Sequence, residues 1–243
     1  MKSRIDQLLV TRGLFDTRGR ARAAIEAGRV KADGRPVAKP SEQIAEDAEI
    51  EAEPAHRWVG RGALKLDHAL SLWPVAVQGC VVLDVGASTG GFTEVCLDRG
   101  AEKVFAVDVG FGQMHDRIAA DPRVVNLERT DARDLTPDLI PQPPSLIVCD
   151  ASFISLIKVL PATLDLAAPG ADLITLVKPQ FEAERPGGGK KGVVKDPAAH
   201  AAAVERVRDW LQALGWSVQA VTESPITGGD GNVEFLLWAK KPG

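Results

Sequence analysis

The chain has 243 residues, 45% of them hydrophobic, with 33 acidic against 29 basic side chains. That length exceeds one typical domain and falls short of two large ones, so one medium domain with a small appendage is expected. Cys80, Cys96 and Cys149 each lie in an apolar run without metal-ligand spacing, and there is neither a signal peptide nor a run of the ~20 apolar residues that span a bilayer; a reduced, cytoplasmic setting is expected.

The net charge of −4 is unevenly spread: residues 1–40 carry ten Lys/Arg against four Asp/Glu, whereas 41–56 carry six acids and no Lys or Arg. That reversal marks a basic module followed by a boundary. Within it, Ser3 is placed to cap a first helix with Asp6 back-bonding, Leu8, Leu9 and Arg12 continue the helix, and Gly13 stops it. Thr17 caps a second helix, Arg18 to Ala27, which Gly28 ends, and Val30 to Val37 reads as two short strands about an Asp33-Gly34 turn. So small a module buries little core, which makes Arg4, Arg18, Arg20, Arg22 and Lys31 candidate phosphate contacts. The acidic run Glu42 to Glu53 closes it.

On Arg4-Ile5-Asp6, Leu8-Leu9, Gly13, Thr17-Arg18, Ala21, Ile25, Gly28-Arg29-Val30 and Asp33-Gly34, the segment resembles the alpha-L RNA-binding domain of a small-subunit ribosomal protein, pseudouridine synthases and tyrosyl-tRNA synthetases. Residues 54–61 then form a linker in which Trp58 lies near Arg57 and Arg61; the indole packs into either neighbouring domain or stacks on a base, and Arg61 is a further candidate RNA contact. Lys65 stands just where a helix, Leu66 to Leu72, begins, a position where a lone cation opposes the helix dipole.

Val81–Phe92, VVLDVGASTGGF, organises the remainder: a buried parallel strand, a tight glycine turn and a helix start, in that order. Ligands of open α/β sheets bind where strand ends meet helix starts. A dinucleotide fingerprint needs glycines at 86, 88 and 91, but position 88 is Ser, so the residue that makes room for a pyrophosphate is missing. About twenty residues on, strand Lys103–Val107 ends in Asp108, whose carboxylate suits the two hydroxyls of a ribose. A ribose without a pyrophosphate points to S-adenosylmethionine. Asp84 either fixes the turn by accepting backbone N–H bonds or faces the cationic amino acid end of that cofactor. Asp131, after a third strand (Val124–Leu127), is placed to accept from the adenine amino group.

A fourth strand, Ser145–Cys149, ends in Asp150 and is followed by a helix, Ile154–Ala168; a fifth, Leu173–Val177, ends in Lys178. The Gly- and Lys-rich stretch Glu184–Asp196 offers Lys190 and Lys191 to a polyanion. Pro197 opens an amphipathic helix to Leu214, and Trp216–Val221 with Val233–Ala239 form a closing hairpin. Lys65, Asp150, Lys178 and Glu234 thus fall at strand or helix ends, where together they can orient a hydroxyl and take its proton. Methyl transfer from a sulfonium is an in-line displacement whose leaving group is already activated; no metal is needed, and the protein's task is to position and deprotonate the nucleophile. A lysine, ordinarily at ~10.4, serves as base only if held near ~7–8. A second ammonium favours that and two carboxylates oppose it, which leaves Lys178 as general base or as a group that steers the hydroxyl.

At RGALKL, LDVGASTGGFTE, VFAVDVG, CDASFIS, LVKPQFE and GNVEFLLW the chain is similar, over nearly its whole length, to the TlyA or hemolysin A family of ribosomal RNA 2′-O-methyltransferases, whose methyltransferase domain is FtsJ-like. The resemblance implies a class I, Rossmann-like fold with a mostly parallel seven-stranded sheet and an antiparallel last strand. It implies a catalytic Lys65-Asp150-Lys178-Glu234 tetrad, and S-adenosylmethionine held by Asp84, Gly86, Ser88, Thr89, Gly90, Gly91, Phe92, Asp108, Asp131 and Asp150. The expected division is an RNA-binding domain at 1–53, a linker at 54–61 and a methyltransferase domain at 62–243. The expected activity is 2′-O-methylation of cytidine in ribosomal RNA by a monomer acting on RNA or ribosomal subunits, and the short ends of the chain lean towards the large-subunit kind. Two other classes compete: a membrane-lytic protein, which the family's older name suggests but no spanning segment supports, and an RNA-binding protein with an inactive methyltransferase-like fold. Pseudouridine synthesis lacks its Arg-Leu-Asp catalytic segment here.

Overall fold

Apolar residues that alternate between two faces of a parallel sheet decide the architecture of the larger of two units, Trp58–Gly243; the smaller is Met1–Arg57. The computed structural model describes residues 1–182 and 193–243, so the expected contacts Lys190 and Lys191 lie outside the described residues.

In the smaller unit, β1 (Lys2–Arg4) leads into α1 (Ile5–Thr11) and α2 (Arg18–Glu26), followed by β2 (Val30–Ala32), β3 (Arg35–Pro36), β4 (Gln43–Ala45) and β5 (Ile50–Ala52). Thr17 accepts the Arg20 N–H at 3.3 Å, the expected cap of the second helix. Ser3 does not cap the first: it is extended, opposite Ile44 in the antiparallel β1–β4 pair, and its hydroxyl donates to Glu46. Once strand pairing claims the backbone ahead of α1, Arg4 falls at the cap position, with no side-chain cap bond. Asp33 and Gly34 have φ of 49° and 73°, as a tight hairpin with two left-handed residues requires. The acidic run is more than a boundary. It supplies β4 and β5, whose half-buried Ile44, Ile50 and Ala52 pack on a core of Ile5, Leu8, Leu9, Phe15, Ile25 and Val30 while the acids face outward.

The larger unit begins with α3 (Ala63–Leu72), then β6 (Val81–Val85), α4 (Gly91–Asp98), β7 (Lys103–Val107), α5 (Asp116–Ala119), β8 (Val124–Leu127) and β9 (Leu146–Cys149). It continues with α6 (Leu156–Val159), α7 (Pro161–Asp165), β10 (Asp172–Val177), α8 (Pro179–Glu182), α9 (Pro197–Ala213), β11 (Ser217–Glu223) and β12 (Phe235–Lys240). The sheet order is β11-β12-β10-β9-β6-β7-β8, with β12 antiparallel to both neighbours. This is the class I methyltransferase arrangement that the resemblance implied. On one face Val82, Val104, Ala106, Leu146, Val148, Ile174 and Leu176 pack under α3 and α4; on the other, Leu83, Val85, Phe105, Ile147, Cys149 and Leu173 meet α6, α7 and α9. That alternation is the period of a pleated strand covered on both sides. Trp58 and Val59, 4% and 5% exposed, belong to the first of these cores, so the indole packs. The single helix expected over 154–168 is two, because Pro161 lacks the N–H that a continuous helix would use and serves instead in the first turn of α7.

Strand order reverses between β6 and β9, the kind of switch point where open α/β sheets bind ligands. There Gly86 has φ +82°, and a Cβ on it would lie 3.0 Å from the Ala151 Cα and 3.1 Å from its nitrogen. This glycine lets the chain leaving β6 pass the chain leaving β9. Gly86→Ala should therefore lower the stability of the ligand-free protein by about 1–3 kcal/mol, measured by urea unfolding; an unchanged midpoint would mean that the position serves only ligand approach.

Candidate active site

After Gly86 the turn stays left-handed at two further places, Ser88 (φ 48°) and Gly90 (φ 89°), and the Gly90 N–H closes it on the Ala87 carbonyl at 2.8 Å. The Ser88 N–H donates to Asp108 Oδ2 at 2.8 Å, and the Gly110 N–H donates to Asp108 Oδ1 at 2.7 Å. These bonds fix the half-buried Asp108 carboxylate beside the turn with lone pairs to spare on both oxygens. Thr89 is exposed, and Gly91 opens α4. Phe92 is 4% exposed and its ring packs in the core beneath α3.

Asp84 shares the sheet face of Val82, under α4, and is fully buried. Its Oδ2 accepts the Thr93 hydroxyl at 2.6 Å, while its Oδ1 has no partner. The Thr93 bond ties the end of β6 to the first turn of α4. Burial, with the Asp150 and Asp108 charges adding and the Thr93 hydrogen bonds opposing, raises its pKa to about 7. Asp131 is likewise engaged: it takes the Arg133 N–H at 2.9 Å and pairs with the Arg133 guanidinium at 2.6 Å.

The four charged residues drawn from distant parts of the chain meet at the same end of the sheet. Lys65 comes from the first turn of α3, Asp150 from the residue after β9, Lys178 from the residue after β10 and Glu234 from the residue before β12. Because β12 runs against the others, its beginning lies at the edge where the parallel strands end. Lys65 Nζ is 3.1 Å from Asp150 Oδ2 and 2.7 Å from Glu234 Oε2; Lys178 Nζ is 2.7 Å from Asp150 Oδ1. Lys65, Lys178 and Glu234 are 7%, 4% and 3% exposed, so pairing is what makes their charges tolerable there. Burial lowers the Lys65 pKa, but the Asp150 and Glu234 carboxylates outweigh it, leaving the ammonium above its ordinary value. Lys65 is thus a fixed cation that holds both acids in place.

Three residues that sequence reasoning passed over complete this arrangement. Ser152 accepts from Lys178 Nζ at 2.7 Å. Gly228 lies against Glu234, where a Cβ would fall 2.5 Å from Oε1. Glu182 is a buried carboxylate bonded to Ser155 and to the Leu156 N–H. The signal for Ser152 and Glu182 was present in the motifs: a hydroxyl two residues after Asp150, and an acid one helical turn after Lys178.

In the smaller unit every basic residue expected to meet phosphate faces a carboxylate. Arg4 and Arg18 reach the fully buried Asp6 at 3.0 and 2.8 Å; Arg20 faces Asp16, Arg22 faces Glu26 and Lys31 faces Glu51. The pairs with the exposed carboxylates of Asp16, Glu26 and Glu51 are worth about 0–1 kcal/mol each, so a phosphate can replace those carboxylates at small loss, whereas Asp6 is held in the interior by its two guanidinium partners. Arg61, in the larger unit, is exposed.

Residues 58–241 match the FtsJ-like methyltransferase model, and residues 3–50 match the S4 domain. The chain is 47% identical over 241 residues to a Mycobacterium tuberculosis protein named 16S/23S rRNA (cytidine-2′-O)-methyltransferase TlyA, covering 98% of this chain and 90% of that one. It is 36% identical over 182 residues to a Campylobacter jejuni protein named 23S rRNA (cytidine-2′-O)-methyltransferase TlyA, covering 74% and 70%. A solved structure from Streptococcus thermophilus that carries the hemolysin name superposes with a TM-score of 0.78 at 40% identity, covering 99% of this chain and 89% of that one.

The Asp84 site predicts a pH dependence. Between about pH 4 and about pH 7 the folded chain keeps a proton on Asp84 that the unfolded chain has released, so stability falls as pH rises through that window and levels off above it. Asp84→Asn should lack this component, which is on the order of a few kcal/mol. Thermal midpoints at pH 5 and pH 8 should therefore differ less in the variant than in the wild type.

Proposed function

The chain belongs to the TlyA or hemolysin A family of FtsJ-like methyltransferases carrying an S4 domain, and from this premise we propose that it methylates the ribose 2′-oxygen of a cytidine in ribosomal RNA, with S-adenosylmethionine as donor. The observation that carries the reading is the meeting of Lys65, Asp150, Lys178 and Glu234 within 3.1 Å contacts beside a glycine turn at the switch point. The residues present fit the donor. Gly86, Ser88 and Gly90 hold the chain in a left-handed turn beside the strand ends, and Asp108, fixed by the Ser88 and Gly110 N–H groups, keeps free lone pairs for two ribose hydroxyls.

When bound, S-adenosylmethionine supplies a methyl group on a cationic sulfur that leaves as a neutral thioether. The protein's share of the work is then geometric. Lys178 is the group that meets the 2′-hydroxyl, either receiving its proton or holding its oxygen in line with the methyl carbon. Asp150, anchored by Lys65, aims Lys178; Glu234 keeps Lys65 in place. Arg4 and Arg18, both fixed on Asp6, and Arg20, Arg22, Lys31 and Arg61 are the basic groups offered to the RNA backbone. Large-subunit RNA is the substrate that the names of both relatives share, and the reading we propose is of a cytoplasmic enzyme acting as a monomer. The division we assign is residues 1–53 for RNA binding, 54–57 for connection and 58–243 for methyl transfer, because Trp58 and Val59, expected in a linker over 54–61, pack in the core of the larger unit. No helix among the described residues is long and apolar enough to cross a membrane, so nothing in them favours the lytic reading.

Transfer of tritiated methyl groups to isolated 16S and 23S RNA and to both subunits tests this. Label should appear on the ribose of a cytidine in 23S RNA, and Lys178→Ala should lose about 10²–10⁴-fold in rate while calorimetry still registers binding of the donor. Label on a base would overturn the choice of nucleophile.

A further inference from the structure

Lys178 and Glu182 lie four residues apart, at either end of the short turn of α8, and both reach back to the segment that follows β9. Lys178 Nζ is 2.7 Å from Asp150 Oδ1, 3.1 Å from the Asp150 carbonyl oxygen and 2.7 Å from Ser152 Oγ. Glu182, 3% exposed, accepts the Ser155 hydroxyl at 2.6 Å and the Leu156 N–H at 2.8 Å. Between the two braces Phe153 is held at φ +67°, a conformation that non-glycine residues rarely adopt. Its ring is 79% exposed and lies 5.4 Å from that of Phe181.

An ammonium has three donors, and here three acceptors meet them. Two belong to Asp150. The third, Ser152, sits on an exposed turn with a strained neighbour and no regular secondary structure of its own. That turn needs an anchor, and the buried carboxylate spends both of its oxygens on the start of α6, where the turn ends. Hydrogen bonds to a charged group are worth about 1.5–3 kcal/mol each, comparable to the 1–3 kcal/mol cost of a strained backbone residue.

We propose that Glu182 is a positioning residue for methyl transfer: by fixing Ser155 and Leu156 it holds the turn after Asp150 so that Ser152 completes the acceptor shell of Lys178. This rests on the reading of Lys178 given above, and the experiment separates the two. Glu182→Ala should lower kcat on RNA by about tenfold or more, with donor affinity by calorimetry within about twofold of the wild type. Glu182→Gln, whose amide can serve both Leu156 and Ser155, should recover to within about threefold. In a double-mutant cycle Glu182→Ala and Ser152→Ala should be non-additive, because one acts through the other. Acylation of Lys178 by an amine-directed reagent, followed by peptide mass spectrometry on the ligand-free full chain, should be several-fold faster in both single variants. If Glu182→Ala proves unstable, Ser155→Ala, which removes one of the two bonds, should show the same direction at reduced size. Additive effects, joint loss of donor affinity and kcat, or unchanged Lys178 acylation would each overturn the proposal. A wild-type chain that transfers no methyl would sink the reading of the enzyme, and the acylation ratios would still judge the role of Glu182.

Discussion

One carboxylate shared by two ammonium groups is the interaction on which the larger unit converges. Asp150 accepts from Lys65 on both oxygens and shares Oδ1 with Lys178, so neither lysine can move without leaving a charge unmatched in a nearly closed space. Removing one partner of a buried pair is strongly destabilising because the other is left uncompensated. The constraint also gives the two lysines different surroundings. Lys65, raised in pKa and facing two acids, serves as a permanent counter-charge, which leaves Lys178 as the cation whose contacts include an exposed acceptor.

Much of this was legible in the sequence because it depends on local chemistry. A run of Val and Leu interrupted by Asp84 and ended by Gly86 announces a buried strand entering a tight turn, and polar residues at 108, 150 and 178 mark strand ends at one edge of a sheet. What stayed hidden depends on contacts between distant segments. Ser3 has the residue type of a helix cap, yet pairing with β4 takes its backbone first. The acidic run looks like a boundary because its charges dominate its composition, while its half-buried isoleucines, spaced for two short strands, carry the fold. Phe92 follows the glycine turn, and the direction of α4 turns its ring inward.

The basic module shows how charge composition can mislead about availability. Each of its candidate phosphate contacts is already engaged by a neighbouring acid, so the module is close to neutral at short range although its first forty residues carry an excess of six positive charges, ten less four. Asp6 differs from the other acids in being fully buried: it keeps two guanidinium groups side by side, with their outer edges half-exposed. Two guanidinium groups tied to one buried carboxylate are held at a set spacing, where solitary arginines would be mobile charges.

The reversed direction of β12 decides how the charged cluster is closed. Glu234 precedes that strand, which is inserted between β10 and β11 rather than added at the sheet margin. Lys65 therefore gains its second carboxylate only when β12 has entered the sheet, so the balance of charge at the strand ends is tied to the insertion of one strand between two others.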